Sequence, residues 1–410
     1  MGLTRLVCTG CSLLCDDIEI DSEGDRIARV ENACLKGASF LCSADSARRA
    51  PFLVKGKIVS ETEAVEWAAQ LLRKATRALI FGLDSCTVEA QAAGIDLAQA
   101  LGAVIDDVSS FSYGAVVEGI MEGEIPSCAF AEVKDADLII YWGCNPYHSH
   151  PRHLSKFSYY AREKYDEAGW RPVVKAISVE VRDTETTSLC YPVFKVEPGG
   201  DADFIGRILT TAKGEEGTED HRTFVELLRG SQFCVIFVGL GLIYSLDNDL
   251  SLFLEMLHQF GRDSRFAVIP MVGHFNMLGF NHSLYERTGH INKVRFGQSI
   301  HHEEECSFLE QIRNRLPDCV LIVGSDPFSS QPRSLTANLE GVPIICLDPF
   351  LTATTRSAEV VLGTAISGLE VEGKAIRMDG TVVSLPQGRK VETPSDEWVL
   401  RQLLTGSGHG

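Results

Sequence analysis

Five cysteines lie within the first 42 residues, and their spacing is typical of a metal-binding site. Cys8, Cys11 and Cys15 stand within eight residues of one another, and Cys34 follows after 18 intervening residues. Four cysteine thiolates can hold a 4Fe–4S cluster, and closely spaced ligands let one loop wrap around three of its corners. The spacing therefore favours a 4Fe–4S cluster, with Cys42 as the competing candidate for the fourth ligand.

Zinc is the main alternative metal, and a motif that binds nothing is a third interpretation. Zinc sites with four cysteine ligands usually consist of two close cysteine pairs, whereas this chain has a triplet and a distant single cysteine. The other eight cysteines are scattered, and several lie in apolar runs, so we predict that they are small buried core residues. They are Cys86, Cys128, Cys144, Cys190, Cys234, Cys306, Cys319 and Cys346.

The elements that must position these residues follow from the apolar pattern. Two short alternating runs, 17–20 and 26–30, flank a polar stretch with a glycine and predict a β-hairpin. From about residue 56 onwards, continuous apolar runs alternate with segments of helical spacing, which indicates parallel sheets covered by helices on both faces. The predicted strands are 76–82, 137–143, 175–179, 234–239, 267–270, 319–324 and 344–348, and the predicted helices flanking the first strand are 61–74 and 88–101.

Two correspondences between the halves of the chain suggest an internal duplication. The residues Gly143-Cys144-Asn145-Pro146 match Gly324-Ser325-Asp326-Pro327, and 183–187 loosely resembles 348–352. Each follows a predicted strand, and ligands bind at the carboxyl ends of strands in open α/β sheets. We therefore predict a shared ligand crevice, although a glycine and a proline so close together also mark ordinary turns.

The composition limits the classes of function. The chain has 410 residues, 45% of them hydrophobic, and a formal net charge of −18. An acidic surface disfavours binding to nucleic acid and to anionic membranes. Neither a signal peptide nor an apolar stretch of membrane-spanning length is evident, which predicts a cytoplasmic protein. The expected organisation is an iron–sulfur domain over 1–55, followed by α/β regions over 56–230 and 231–400.

Three stretches of the chain resemble the B-subunit family of formylmethanofuran dehydrogenases, and a fourth, the last one given below, resembles the cofactor-contacting tail of the wider molybdopterin oxidoreductase family. They are 8–17 together with Asn32-Ala33-Cys34, 141–146 followed by 148–153, 270–276, and Glu372-Gly373 with 377–380. The resemblance covers nearly the whole chain. It implies a small iron–sulfur domain followed by interleaved, doubly wound parallel-sheet domains.

The resemblance also implies a reaction, cofactors and partners. The reaction is reduction of CO2 to formate, or the reverse, at a tungsten or molybdenum bis(pterin guanine dinucleotide) centre in one-carbon metabolism and methanogenesis. The 4Fe–4S cluster on Cys8, Cys11, Cys15 and Cys34 would relay electrons. The implied partners are an amidohydrolase-type subunit, a subunit that completes the pterin site, and a ferredoxin-type subunit.

The family motifs place cofactor contacts in several parts of the chain. Lys36 is expected between cluster and pterin, where a cation stabilises added negative charge; the alternative is a solvated turn lysine. The remaining candidate cofactor-binding residues are Gly143, Asn145, Pro146, His150, Asp183, Gly324, Asp326, Asp348 and Arg377.

Three positions depart from the family pattern. Ser112 stands where a cysteine or selenocysteine metal ligand is expected, Tyr113 where a histidine is expected, and Val272 where an arginine is frequent. Ser112, Tyr113 and His274 are nevertheless the catalytic candidates, because a serine oxygen can also ligate the metal, although it is a harder donor than a thiolate. A second hypothesis therefore stays open: a non-redox structural subunit of a formyltransferase/hydrolase complex that lacks the pterin.

Three closely spaced histidines, His148, His150 and His153, invite comparison with a metal site. Their spacings lack the four-residue interval of a helical histidine pair, and Pro151 interrupts them. We expect them to line the pterin pocket or a subunit contact instead.

Overall fold

The computed structural model describes residues 3–23, 26–46, 48–160, 164–166, 169–171 and 175–408. None of the helices in these ranges has the length and apolar character needed to cross a membrane. The strands are β1 (Thr4–Leu6), β2 (Ile18–Glu23), β3 (Arg26–Glu31), β4 (Leu53–Val54), β5 (Lys57–Ile58), β6 (Ala78–Gly82), β7 (Val104–Asp106), β8 (Leu138–Trp142), β9 (Lys164–Asp166), β10 (Gly169–Arg171), β11 (Lys175–Glu180), β12 (Val193–Lys195), β13 (Phe233–Val238), β14 (Arg265–Pro270), β15 (Val294–Arg295), β16 (His301–His302), β17 (Cys319–Val323), β18 (Ile344–Asp348), β19 (Val360–Gly363), β20 (Gly373–Ile376) and β21 (Val382–Leu385).

The helices alternate with these strands. They are α1 (Leu35–Cys42), α2 (Glu61–Lys74), α3 (Val88–Leu101), α4 (Gly114–Met121), α5 (Phe130–Val133), α6 (Pro146–Ser149), α7 (His153–Lys156), α8 (Asp201–Ala212), α9 (Glu219–Gly230), α10 (Leu240–Ser245), α11 (Ser251–Phe260), α12 (Met277–Thr288), α13 (Phe308–Arg313), α14 (Pro327–Ser330), α15 (Arg333–Thr336), α16 (Ala353–Ser357) and α17 (Asp396–Gly406).

Local signals explain where the long helices begin and end. Ser60 caps α2 by accepting a hydrogen bond from the Glu63 N–H at 3.2 Å, which satisfies one of the free amides at a helix start. Thr87 caps α3 in the same way, and α3 ends at Gly102 in the left-handed conformation that glycine adopts without strain. Both helices therefore have the bounds that the sequence predicts.

The chain folds into two compact units. Unit 1 comprises residues 1–111, 274–377 and 382–410, and it contains a nine-stranded sheet in the order β16-β15-β7-β6-β17-β18-β19-β4-β5. The five central strands, β7 to β19 in this order, are parallel, and the flanking pairs are antiparallel. The antiparallel pairing of β2 with β3 confirms the predicted hairpin; the glycine predicted for its turn, Gly24, lies outside the described residues.

Unit 2 comprises residues 112–273 and 378–381. Its five-stranded sheet has the order β12-β11-β8-β13-β14 and is parallel throughout. All six residues of β13 are buried, as expected for a strand covered on both faces. The α/β class with parallel sheets is therefore confirmed in both units.

The sheets do not follow the boundary expected at residue 230/231. In unit 2, β13 pairs with β8 and joins the two expected α/β regions in one sheet, and in unit 1 β17 pairs with β6 in the same way. Apolar runs in the sequence identify strands, but strand pairing depends on contacts between distant segments. The assignment of pterin-binding regions to 56–230 and 231–400 stays a prediction.

Candidate functional site

The cysteine triplet lies in unit 1, on a loop after β1 that folds back on itself. The Cys8 N–H donates to the Cys15 carbonyl oxygen at 2.9 Å, and the Leu14 N–H donates to the Cys11 carbonyl oxygen at 3.2 Å. Each of the three cysteines is at most 7% exposed. One hydrogen-bonded loop therefore holds three buried thiols.

Cys34 joins these thiols through helix α1. It is the N-cap residue of α1, and its sulfur accepts a hydrogen bond from the Gly37 N–H at 3.4 Å. A Cβ added at Gly37 would lie 2.9 Å from the Cys8 sulfur and 3.7 Å from the Cys34 sulfur. Cys42 is exposed at the other end of α1. The geometry therefore favours Cys34 over Cys42 as the fourth member.

The electrostatic surroundings of the thiols are mixed. Burial raises the pKa of Cys8 to about 11, and the Gly10 N–H and the exposed Lys36 ammonium oppose this rise. Metals bind the thiolate, so loading of this site releases protons. Within the described ranges, no three His, Cys, Asp or Glu side chains are grouped so that they could hold a metal ion. In a 4Fe–4S cluster each of the four cysteines binds a different iron atom, so the four sulfurs do not have to surround a single ion.

The first Gly-x-Asn/Asp-Pro turn follows β8 in unit 2, at the point where the strand order reverses between β8 and β13. Gly143 has φ of 59°, and Asn145 is the N-cap residue of α6. The Thr186 hydroxyl donates to the Asn145 side-chain oxygen at 2.6 Å and accepts from the Tyr147 N–H at 3.3 Å. Asn145 also donates to Glu185 at 2.8 Å.

The second turn repeats this arrangement after β17 in unit 1. Gly324 has φ of 57°, and Asp326 is the N-cap residue of α14. The Thr354 hydroxyl donates to an Asp326 carboxylate oxygen at 2.6 Å and accepts from the Phe328 N–H at 3.3 Å. The two turns therefore share backbone conformation and hydrogen bonding, as expected of a duplication.

The second correspondence predicted from the sequence, 183–187 with 348–352, has a different alignment in the structure. Thr184 and Thr187 cap each other, with each N–H donating to the other's hydroxyl at 2.8 and 3.1 Å. Thr352 and Thr355 do the same at 2.7 and 3.1 Å. The segment 184–187 therefore matches 352–355, three residues beyond the match predicted from sequence.

Unit 2 contains a cleft of about 280 Å³ at the carboxyl ends of its strands. Gly143 and Gly241 line it without side chains, beside Tyr244. It also includes Glu180, the last residue of β11, and Asp201, which accepts a 2.6 Å hydrogen bond from the Trp142 indole. The sequence predictions did not include Glu180 or Asp201; an acidic residue at a predicted strand end was the available signal for Glu180.

The other cofactor candidates are dispersed. Pro146 is the buried first residue of α6 in unit 2, whereas Asp183 is exposed and pairs with Lys195 at 2.6 Å. In unit 1, Asp348 ends β18, and its pKa is raised to about 7, chiefly by burial. Arg377 follows β20 and is half-buried. The structure thus brings Gly143, Asn145 and Pro146 together but leaves Asp183 in solvent.

The residues that depart from the family pattern lie in unit 2. Tyr113 precedes α4 and is 8% exposed; burial raises the pKa of its phenol. Ser112, immediately before it, is half-buried. The Val272 side chain is fully buried, and its carbonyl oxygen accepts from the His150 ring at 2.9 Å. Val272 therefore provides no charged group at the position where the family frequently has arginine.

The three neighbouring histidines have different surroundings. His148 is exposed, whereas both ring nitrogens of the buried His150 are hydrogen bonded, to Ser149 and to Val272. His153 is fully buried among aromatic rings, and its centroid lies 4.5 Å from that of Phe237. Burial lowers the pKa of His153 to about 3, so its ring is neutral. His153 therefore lines no open pocket, contrary to the expectation for this group.

Replacement of His153 by phenylalanine should not destabilise the protein. Neither ring nitrogen of His153 has a hydrogen-bond partner among the described residues. Burying an unsatisfied polar atom costs about 1–3 kcal/mol, so an apolar ring of similar shape should leave the free energy of unfolding unchanged or raise it by up to that amount. Urea unfolding measures the change. His150→Phe is the control and should be destabilising, because it removes two hydrogen bonds; equal losses in both variants would contradict the prediction.

Comparison with known proteins supplies the family. No family model matches the chain. It is 33% identical to the B subunit of tungsten-containing formylmethanofuran dehydrogenase 2 from Methanocaldococcus jannaschii, over 96% of this chain and 94% of that protein. It is 30% identical to the B subunit of the dehydrogenase of the same name from Methanococcus maripaludis, over 98% and 97% of the two chains.

Two further similarities concern a different complex. The chain is 26% identical to the B subunit of the formyltransferase/hydrolase complex of Methylorubrum extorquens, over 86% of this chain and 95% of that protein. A crystal structure of that complex with methylofuran has a chain that superposes with a TM-score of 0.72 at 23% identity, covering 88% of this chain and all of the other. This second similarity shows a shared fold. From the identity over nearly its full length, the chain belongs to the family of formylmethanofuran dehydrogenase B subunits.

Proposed function

We propose that this chain is the B subunit of a formylmethanofuran dehydrogenase-like complex that reduces CO2 to formate, or catalyses the reverse reaction, in the cytoplasm. In this role it carries a 4Fe–4S cluster and holds part of a tungsten or molybdenum bis(pterin guanine dinucleotide) centre. The observation that carries the proposal is the site formed by Cys8, Cys11, Cys15 and Cys34. The names of its relatives, which are subunits of a tungsten-containing dehydrogenase, support it.

The cysteine site fits a cluster in three respects. Three of its four cysteines are buried and Cys34 is half-buried, which limits the access of water to a cluster. The N–H groups of Gly10 and Gly37 each donate to a sulfur, at 3.4 Å in both cases, and such bonds tune the reduction potential of a cluster. A side chain at position 37 would lie against the Cys8 and Cys34 sulfurs, so the site has space for a cluster there only because Gly37 lacks a Cβ. When bound, the cluster supplies one-electron transfer.

Residues of this chain would perform distinct tasks in the reaction. The Lys36 ammonium, which acts electrostatically on Cys8 and Cys11, would favour the reduced, more negative state of the cluster. The two matching turns would hold the pterin cofactors, through Gly143, Asn145 and Pro146 with His150 and Asp183, and through Gly324 and Asp326 with Asp348 and Arg377. Ser112, Tyr113 and His274 would face the reacting centre. Amidohydrolase-type, pterin-completing and ferredoxin-type subunits would complete the complex.

A second candidate function is that of a structural subunit without a pterin centre, in a formyltransferase/hydrolase complex. The observation that favours it is the loss of charge at Val272, which is fully buried, together with a serine and a tyrosine where a thiolate and a histidine are expected. The relative from Methylorubrum extorquens belongs to such a complex.

Metal analysis of the complex purified without oxygen separates the two functions. Beyond the iron of the ferredoxin-type subunit, we expect about four irons per copy of this chain, as for one 4Fe–4S cluster, together with tungsten or molybdenum in equal amount to the chain. These four irons without either heavier metal would exclude the redox centre and leave the structural function. The absence of both these four irons and the heavier metal would exclude the cluster as well.

Replacement of Cys34 by serine should abolish the cluster. Removal of one of the four ligands leaves a 4Fe–4S cluster without its full set of thiolates, so the iron content of the complex should fall by about four atoms per copy of this chain. The iron and visible absorption that remain should be those of the ferredoxin-type subunit. Cys42→Ser is the matched control, eight residues away on the exposed end of the same helix. If Cys42→Ser lost iron and Cys34→Ser kept it, the ligand assignment would be wrong.

A further inference from the structure

A strained turn in unit 1 lies directly after β6, where the strand order reverses between β6 and β17. Leu83 in this turn has φ of 71°, which a branched side chain rarely adopts. Three hydrogen bonds from other segments hold the turn in this conformation. The Leu83 N–H donates to Val323 at 2.8 Å, Gln91 donates to the Leu83 carbonyl oxygen at 2.9 Å, and Asn276 donates to the Cys86 carbonyl oxygen at 2.7 Å. Backbone strain that is maintained by surrounding contacts in this way occurs mainly at functional sites.

The turn carries two side chains that contact His274. The Nδ1 atom of His274 lies 2.9 Å from an Asp84 carboxylate oxygen and 3.1 Å from the Ser85 hydroxyl. Asp84 is fully buried, and its second carboxylate oxygen has no hydrogen-bond partner among the described residues. The His274 side chain is 41% exposed. Since Nδ1 is occupied by the turn, Nε2 is the ring nitrogen left for a ligand.

The charges around this pair favour a protonated ring. The Asp84 carboxylate raises the pKa of His274, and this effect opposes burial and the Lys36 ammonium, which both lower it. Asp84 itself faces Asp107 and Cys86, and these groups are buried. Asp84 also accepts a hydrogen bond from the Ser85 hydroxyl at 3.2 Å, but a hydroxyl carries no charge. An imidazolium on His274 therefore supplies a positive partner for the buried carboxylate, and loss of that charge would leave the Asp84 charge uncompensated by His274.

We propose that Asp84 is a positioning residue that holds His274 as an imidazolium, and that the Nε2–H of His274 binds the carboxylate of a one-carbon acid. An imidazolium has two N–H donors, so a ring anchored through Nδ1 can present the second to an anion. A charge-assisted hydrogen bond of this kind is about twice as strong as a neutral one. The choice of formate as ligand rests on the proposed function; the Asp84–His274 arrangement does not.

Site-resolved labelling tests the proposal in the intact complex. Diethyl pyrocarbonate acylates neutral imidazole, so peptide mass spectrometry across a pH series reports the titration of His274. We expect His274 to react with a midpoint above the ordinary histidine pKa of about 6.5. In Asp84→Asn the midpoint should fall and labelling near pH 6 should rise severalfold, whereas Ser85→Ala should keep a raised midpoint. The exposed His258 serves as the internal reference.

Protection experiments identify the ligand. Sodium formate should slow labelling of His274 severalfold relative to sodium chloride at equal ionic strength, and this protection should vanish in Asp84→Asn. Protection by phosphate but not by formate would overturn the carboxylate assignment, and an unchanged midpoint in a folded Asp84→Asn variant would overturn the positioning role. The readout needs no bound metal, so a complex without tungsten or molybdenum that still shows formate protection would refute the proposed function and leave this inference standing.

Discussion

Replacement of Glu370 by glutamine is expected to lower the free energy of unfolding by about 3–5 kcal/mol, the usual cost of removing one member of a buried ion pair. The Glu370 side chain is 1% exposed and accepts hydrogen bonds from Arg49 at 2.9 Å and from Arg389. Its carboxylate also accepts from the Ile366 N–H at 2.8 Å. Arg389 in turn binds Asp45, so this network joins the cysteine-rich segment to the C-terminal part of unit 1.

Glutamine cannot replace the carboxylate in this network. It keeps one acceptor oxygen, but its amide presents two N–H donors, and one of these would face an arginine that is itself only a donor. Urea unfolding followed by circular dichroism measures the loss. The matched control is Glu397→Gln, which breaks an exposed pair with Arg401 on α17 and should cost at most about 0.5 kcal/mol. Similar effects of the two variants would show that the buried network contributes nothing specific.

Replacement of Gly143 by alanine is expected to destabilise unit 2 much more than the equivalent change at Gly324 destabilises unit 1. Both glycines have φ near 60°, at 59° and 57°, which costs an alanine about 1–2 kcal/mol. At Gly324 the nearest atom to an added Cβ is the Cys86 sulfur at 3.3 Å, whereas at Gly143 it is the Leu242 backbone nitrogen at 2.5 Å. Backbone cannot move aside as a side chain can, so overpacking should add about 1–3 kcal/mol or more.

The two variants control for each other because they share conformation and motif. The difference between the two losses of unfolding free energy measures the cost of a Cβ at position 143, where the backbone of Gly241 and Leu242 lies close to the first turn. Equal destabilisation would mean that the backbone of Gly241 and Leu242 moves away from the added Cβ at no cost in free energy. In Gly143→Ala we also expect weaker binding of any ligand in the unit 2 cleft, since Gly143 lines it.

Much of the local structure could be predicted from the sequence. The bounds of α2, α3 and β18 are as predicted, because caps such as Ser60 and Gly102 and short apolar runs act over a few residues. The turns at Gly143 and Gly324 could be recognised as a pair for the same reason. The match of 184–187 with 352–355 was missed by three residues, because it depends on reciprocal threonine capping rather than on residue identity.

Other features depend on contacts across long stretches of chain. Ser85 and His274 are separated by 189 residues, and Arg49 and Glu370 by 321. Glu180 and Asp201 reach the unit 2 cleft only because β11 pairs with β8 and Trp142 binds Asp201. No periodicity in the sequence encodes such pairs, so neither the acidic lining of the cleft nor the positioning of His274 could be predicted.

The sequence by itself determined the cysteine triplet, the α/β class and the paired turns, since each depends on residues close together in the chain. Tertiary structure alone decided which strands share a sheet, which side chains line the unit 2 cleft, and the contact of Asp84 with His274. Local conformation is set by caps, glycines and apolar spacing, whereas these long-range choices are made by packing and by the burial of charge. The cysteine site combines both, since its loop is local and its fourth member is brought in by helix α1.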